Sequence, residues 1–302
     1  MTRNPAAAAD SGCVPYPAPR DRTRADDQAT QPRAGRVVFV GAGPGSADLI
    51  TLRGARTIAE ADIVIWASSL VSSEIVANRR PDALLVDSAT AALEDIAPLY
   101  ERARDEGLLV ARVHTGDPAL YGATAEQREL CRRIGLAYES IPGVSAFSAC
   151  AAAAEVELTL PEVAQSLILT RLEGGRTPMP PRERVREFAR HGTTMALYLS
   201  AARNRVLQEE LLTGGYPPET PAIIGHRVSW PDQRVLRCRL GELSETMRQH
   251  RLWKHTVILV GPALAESPMA KRSHLYHPGF HHGYRRADPR AAQELTKNGA
   301  RV

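Results

Sequence analysis

HTGDPALYG, His114 to Gly122, sets an acid, a histidine and a tyrosine on a turn built from two glycines and a proline. A carboxylate there, Asp117, can accept hydrogen bonds from backbone N–H groups or from a ligand's ammonium or hydroxyl. Gly116 permits close approach of backbone and ligand. The alternative is a turn without a ligand, in which Asp117 only caps the helix that follows.

A second loop, GAGPGS from Gly41 to Ser46, carries the first two glycines of the dinucleotide fingerprint G-x-G-x-x-G. Ser46 stands where the third glycine belongs. Pro44 has no N–H to offer a pyrophosphate. The acid expected at the far end of the second strand is absent, and Asp62 precedes that strand instead. These departures weigh against a nicotinamide-dependent oxidoreductase. A tight turn, or a ligand of another kind, stays open.

Alternating elements must position these loops. RVVFVG (36–41), DIVIWA, ALLVDS, LLVARVHTG and AYESIPG read as strands, separated by helices such as TLRGARTIAEA, AALEDIAPLYERARDEG and TAEQRELCRRIG. The Ala-rich helix VSAFSACAAAAEV follows. A second block begins near Pro161. SLILTRL, TTMALYLS, TPAIIGHRVSW, QRVLRCRL and HTVILVGPA read as its strands. Helices are expected at PPRERVREFARHG, NRVLQEELLTGGY and GELSETMRQH. The alternation predicts an α/β protein with mainly parallel sheets covered on both faces. The units fall at residues 36–158 and 163–265. Residues 1–35 lack periodicity and read as a disordered extension, and 266–302 as a polar C-terminal tail.

Composition narrows the class. The 302 residues are 43% hydrophobic and 24% charged, as in globular proteins. A net charge of +4, with much of the arginine excess in the tails, gives no sign of a nucleic-acid partner. No apolar run reaches the ~20 residues of a membrane helix, and the N-terminus has no apolar signal-peptide segment. Cys13, Cys131, Cys150 and Cys238 are too scattered for a zinc site or a disulfide framework, which suits a cytoplasmic protein. His274, His277, His281 and His282 are loosely spaced, with no acid or cysteine among them, so no metal site is expected.

Taken in order, VGAGPGSADLITLRGARTIAEADIVIWASSLV, HTGDPALYG, IPGVSAFSACAA, LTLPE, TTMALYLS, GGYPPETPAII and SWPD resemble the tetrapyrrole (corrin/porphyrin) methyltransferase family over roughly residues 36–285. Each piece is weak alone and their colinear order is specific. WASSLV, LTLPEVAQSLILTR, GRTPMP, HRVSWPD and HLYHPGF look most like the branch that methylates precorrin-4 at C11, with or without cobalt. Ala67, Ser68 and Ser69 stand where the uroporphyrinogen-III methyltransferases carry an Asp-Arg pair, so no acid/base residue is carried over from them. Another tetrapyrrole substrate remains the alternative.

The resemblance implies two α/β domains with the active site in the cleft between them, S-adenosylmethionine as methyl donor, a tetrapyrrole substrate, and a homodimer. It implies that Pro44, Gly116, Asp117, Leu120, Ser145, Ala146, Leu199 and Val228 meet the cofactor. Ser145 and Ala146 open a helix whose positive end suits the methionine carboxylate or ribose oxygens. Ordinary capping by Ser145, and plain core strand for Leu199 and Val228, are the alternatives. Methyl transfer from a sulfonium asks mainly for orientation, which supplies ~7–11 kcal/mol, so no triad is expected. Tyr121 and Glu162 are weak candidates for taking a proton afterwards. Arg53, Arg171, Arg176, Arg203 and Arg227, at or near element ends, are candidates for the macrocycle's carboxylates; solvated surface charge is the alternative for each.

Overall fold

A computed structural model describes residues 34–174, 177–266 and 274–292. The expected disorder of 1–35 lies outside these residues apart from Ala34 and Gly35, as do Arg176 and both ends of the C-terminal tail. The described residues belong to one compact unit.

The N-terminal half runs β1 (Arg36–Gly41), α1 (Leu52–Glu60), β2 (Ile63–Trp66), α2 (Ser73–Ala77), β3 (Leu84–Asp87), α3 (Leu93–Glu106), β4 (Leu109–His114), α4 (Thr124–Ile134), β5 (Ala137–Ile141) and α5 (Ala146–Ala153). Its sheet, β3-β2-β4-β1-β5, is parallel throughout. VVFV of β1 is apolar on both faces because both are covered. Val38 and Val40 join a core with Ile58 and Val64, while Val37 and Phe39 join another with Ile65, Tyr100 and Leu130. The five-residue helix α2 went unread in the sequence. Its cap is the Ser72 hydroxyl, which accepts from the Glu74 amide at 3.3 Å.

The C-terminal half runs β6 (Leu167–Arg171), α6 (Val185–Ala189), β7 (Thr194–Tyr198), α7 (Asn204–Thr213), β8 (Pro221–His226), β9 (Arg234–Arg239), α8 (Leu243–Gln249) and β10 (Thr256–Val260). The helix expected across PPRERVREFARHG is only its middle, α6. The sheet order is β6-β7-β10-β8-β9, and only β6 and β7 are parallel. The mainly parallel arrangement expected from alternation therefore holds for the first sheet, and the second is mixed. The β8–β9 connection is the physical reason: VSWPDQ and its neighbours are too short for a parallel crossover.

Helix α5 follows the first sheet in sequence but packs on the second. Ala149, Cys150 and Ala151 are buried with Ala196, Ile223 and Leu259. Its small side chains allow close contact: a Cβ on Gly225 would lie 2.5 Å from Cys150 Sγ. The chain thus passes from one core to the other within 142–145.

Candidate functional site

Register pairs Gly41 with His114, so β1 and β4 end side by side and release their loops together. GAGPGS and HTGDP join through Gly43 N to Gly116 O at 3.2 Å and Gly116 N to Gly43 O at 2.7 Å. The turn before α5 closes on both. A Cβ on Gly143 would strike the Gly116 carbonyl and the Gly41 backbone. Asp117 locks the third loop in place: Oδ1 accepts from Ala119 N at 2.7 Å and Oδ2 from Gly143 N at 3.1 Å. Asp117 is therefore not the cap of α4, whose N-cap is Ala123. It ties two loops at the carboxyl edge of a parallel sheet, where open α/β sheets place ligands.

The second half meets this edge through several contacts, three of them hydrogen-bonded residues described next. Trp230 Nε1 donates to the Pro44 carbonyl at 3.0 Å, and Ser46 N donates to Ser229 Oγ at 3.0 Å. Gly45 is glycine because a Cβ there would collide with the Trp230 ring. With Pro44 lacking an N–H and the Ser46 amide taken, the loop has little to offer a pyrophosphate, which removes the basis of the dinucleotide reading. The third contact is Tyr198, whose phenol shares a 2.7 Å hydrogen bond with Ser145 Oγ and accepts from Phe147 N at 3.2 Å. Ser145 is the N-cap residue of α5 but makes no side-chain cap bond; a tyrosine from β7 satisfies that end instead.

Between the halves lies a cavity of about 480 Å³, within the range of small-molecule sites. Pro44, Gly116, Asp117, Leu120, Ser145, Ala146, Leu199 and Val228 all line it. Tyr121, Leu199, Arg227 and His255, also in its lining, have φ between 45° and 56°, a strained region for side-chain-bearing residues that concentrates at functional sites. Leu199 is 73% exposed, so its apolar side chain is held toward the cavity rather than packed in core. The Ser200 hydroxyl fixes that bend, donating to Tyr198 O at 2.6 Å and accepting from Leu172 N at 2.8 Å.

Of the two proton-transfer candidates, Tyr121 lines the cavity and Glu162 does not. Burial pushes the Tyr121 phenol up from its ordinary value, so it stays protonated near neutrality and is a donor rather than a base. Its ring lies 5.4 Å from that of Tyr198, which burial raises likewise. Glu162 is exposed in the connection between α5 and β6.

Among the described candidate arginines, Arg227 alone lines the cavity. Its guanidinium stacks 4.0 Å from the Trp230 ring centroid and bonds Asp232 at 2.7 Å. Arg171 hydrogen-bonds the Leu172, Thr177 and Pro178 carbonyls. Its charge reaches Tyr121. Arg203 donates to the Glu173 carbonyl. Arg53 is exposed on α1. Arg176 lies outside the described residues. An element end says nothing of which way the side chain turns, and of the described candidates only Arg227 is in the cavity lining. Sequence reasoning missed Tyr198, Ser229 and Trp230. SWPD stood out as a motif, but the partner of its tryptophan is 186 residues away.

Sequence and structure comparisons agree on the relatives. The family profile "Tetrapyrrole (Corrin/Porphyrin) Methylases" matches residues 36–244. A cobalt-precorrin-4 C(11)-methyltransferase of Priestia megaterium is 41% identical over 254 residues, covering 83% of this chain and 98% of its own. A precorrin-4 C(11)-methyltransferase of Pseudomonas aeruginosa is 43% identical over 250 residues, covering 80% and 99%. The solved structure of a cobalt precorrin-4 methyltransferase, described as a cobalamin biosynthetic enzyme, matches with a TM-score of 0.74 at 40% identity, over 76% of this chain and 96% of that one. A uroporphyrin-III C-methyltransferase of Thermus thermophilus, in complex with S-adenosylhomocysteine, matches with a TM-score of 0.64 at 27% identity, over 76% and 99%.

Proposed function

Because the chain belongs to the tetrapyrrole (corrin/porphyrin) methylase family and is a methyltransferase, we propose that it methylates precorrin-4 at C11, giving precorrin-5 in cobalamin biosynthesis, with S-adenosylmethionine as donor. Relatives named for the cobalt-bearing and the cobalt-free substrate match at 41% and 43% identity, so the proposal covers the ring with or without the metal. The observation that carries the cofactor assignment is convergence: eight residues from five segments of the sequence line one cavity.

The residues fit such a donor. Ala146 is the first residue of α5 and lines the cavity; a helix N-terminus of this kind suits the methionine carboxylate. Leu120, Leu199 and Val228 offer apolar walls for the adenine, and Gly116 leaves room beside Asp117. S-adenosylmethionine supplies an electrophilic methyl whose positive charge vanishes on transfer. The protein's part is to hold donor and ring carbon in line and exclude water, and orientation of this kind supplies about 7–11 kcal/mol. Arg227, with Arg171 near Tyr121, is assigned to the substrate's carboxylates. The phenol of Tyr121 is assigned to orientation by hydrogen bonding. A homodimer in the cytoplasm completes the proposal. The three described cysteines are free, and no helix among the described residues is long and apolar enough to cross a membrane.

Calorimetric titration with S-adenosylmethionine and S-adenosylhomocysteine tests the donor, and mass spectrometry of a precorrin-4 incubation tests the reaction. Micromolar binding and gain of one methyl at C11 are expected. Failure of the folded protein to bind either ligand, with or without tetrapyrrole, would overturn the proposal.

A further inference from the structure

A second cavity, of about 270 Å³, lies on the sheet side of the 114–122 turn. It shares Leu70, Thr115, Leu120 and Tyr121 with the cleft, so the two spaces meet at that turn. Arg112 and His114 line it. Two residues apart on β4, they point to the same face of the sheet.

Arg112 is largely buried and held by neutral groups, Gln127 Oε1 at 3.0 Å and Ser88 Oγ at 2.9 Å. No carboxylate pairs with it among the described residues. His114 Nε2 is buried without a hydrogen-bond partner among the described residues. Arg128 adds positive charge nearby. It bonds Ser140 Oγ at 3.1 Å, lies over the Phe39 ring at 5.7 Å and holds back protonation of His114. The one acid in the cavity lining, Glu126, is exposed. A guanidinium withdrawn from water without an acid is costly. Here it stands beside open space that shares four lining residues with the cleft.

We infer that this second cavity receives a carboxylate arm from the edge of the macrocyclic substrate, with Arg112 as counter-ion and His114 Nε2 as a hydrogen-bonding group. The inference rests on the proposed tetrapyrrole substrate. S-adenosylmethionine also carries a carboxylate, but of the eight residues assigned to it only Leu120 lines this cavity. An arm anchored behind the turn fixes the ring's rotation over Leu120 and Tyr121, and so which ring carbon faces the donor. Arg112 was legible as an anomaly: it is the one charged residue inside the apolar run LLVARV.

The test titrates uroporphyrin III, a stable polycarboxylate tetrapyrrole, and S-adenosylhomocysteine into wild type, Arg112→Met and Arg112→Lys, with a thermal melt of each. Arg112→Met should weaken uroporphyrin binding about tenfold or more, and Arg112→Lys less. S-adenosylhomocysteine affinity should stay within about twofold, and the melting temperature should not fall, since an unpaired buried cation has gone. Equal uroporphyrin affinity in wild type and Arg112→Met would overturn the site. Parallel loss of both ligands with a lower melting temperature would assign Arg112 a structural role and overturn it too. Should wild type bind no uroporphyrin, the substrate proposal fails, and glutarate is titrated against the His114 ring resonance, assigned with His114→Gln. A shift present in wild type and absent in Arg112→Met keeps the anion site; no shift overturns it.

Discussion

The Tyr198 phenol, at the end of a strand in the second sheet, lies 2.7 Å from the hydroxyl of Ser145, which opens a helix that follows the first sheet in sequence. With its bond from the Phe147 amide, it serves as the cap that Ser145 itself does not provide. The expected donor pocket thus depends on a group contributed across the cleft.

Tyr198→Phe should leave two partly buried polar groups without a partner. A loss of about 1–2 kcal/mol in stability is expected by denaturant unfolding. Affinity for S-adenosylhomocysteine should fall as the start of α5 loosens. Unchanged stability and affinity would show that solvent replaces the phenol at no cost.

Asp117 accepts two backbone amides from two different loops. Asp117→Asn can keep only part of that pattern and Asp117→Ala none. A destabilisation of roughly 2 kcal/mol is expected for the alanine variant, with a sharp drop in donor affinity by calorimetry and asparagine between the two. Full affinity in Asp117→Ala would mean that the glycine contacts alone hold the loops.

Gly45→Ala introduces a methyl against the Trp230 ring. The Trp230–Pro44 hydrogen bond should break, separating the two halves locally. Tryptophan emission should shift to the red and S-adenosylhomocysteine should bind more weakly. Unshifted emission with intact binding would show that the ring moves aside freely.

His114 has an ordinary value of 6.5 lowered to about 3, first by burial and then by the Arg112 and Arg128 charges. Between those values the unfolded chain binds a proton that the folded protein refuses, so the residue's contribution makes stability fall as pH drops from about 6.5 toward 3. The slope approaches about 1.4 kcal/mol per pH unit at its steepest. His114→Gln should flatten that part of the stability curve, measured by urea unfolding across the range. Equal slopes in wild type and variant would place the imidazole in contact with water.

Particular residues show how far the sequence reaches. VVFV, DIVIWA and the strand–helix alternation declared a covered parallel sheet, because burial on both faces writes itself as an unbroken apolar run. GAGPGS and HTGDPALYG announced turns where backbones meet, since only glycine tolerates such approach. Short-range chemistry of this kind is local and therefore legible. The antiparallel entry of β10 between β7 and β8, the transfer of Ala-rich α5 to the other core, and the bonds from Trp230 to Pro44 and from Tyr198 to Ser145 join segments tens to nearly two hundred residues apart. No periodicity or spacing encodes them. They follow from which surfaces can be buried together once the whole chain packs, and they decided which of the sequence's candidate residues face the cleft.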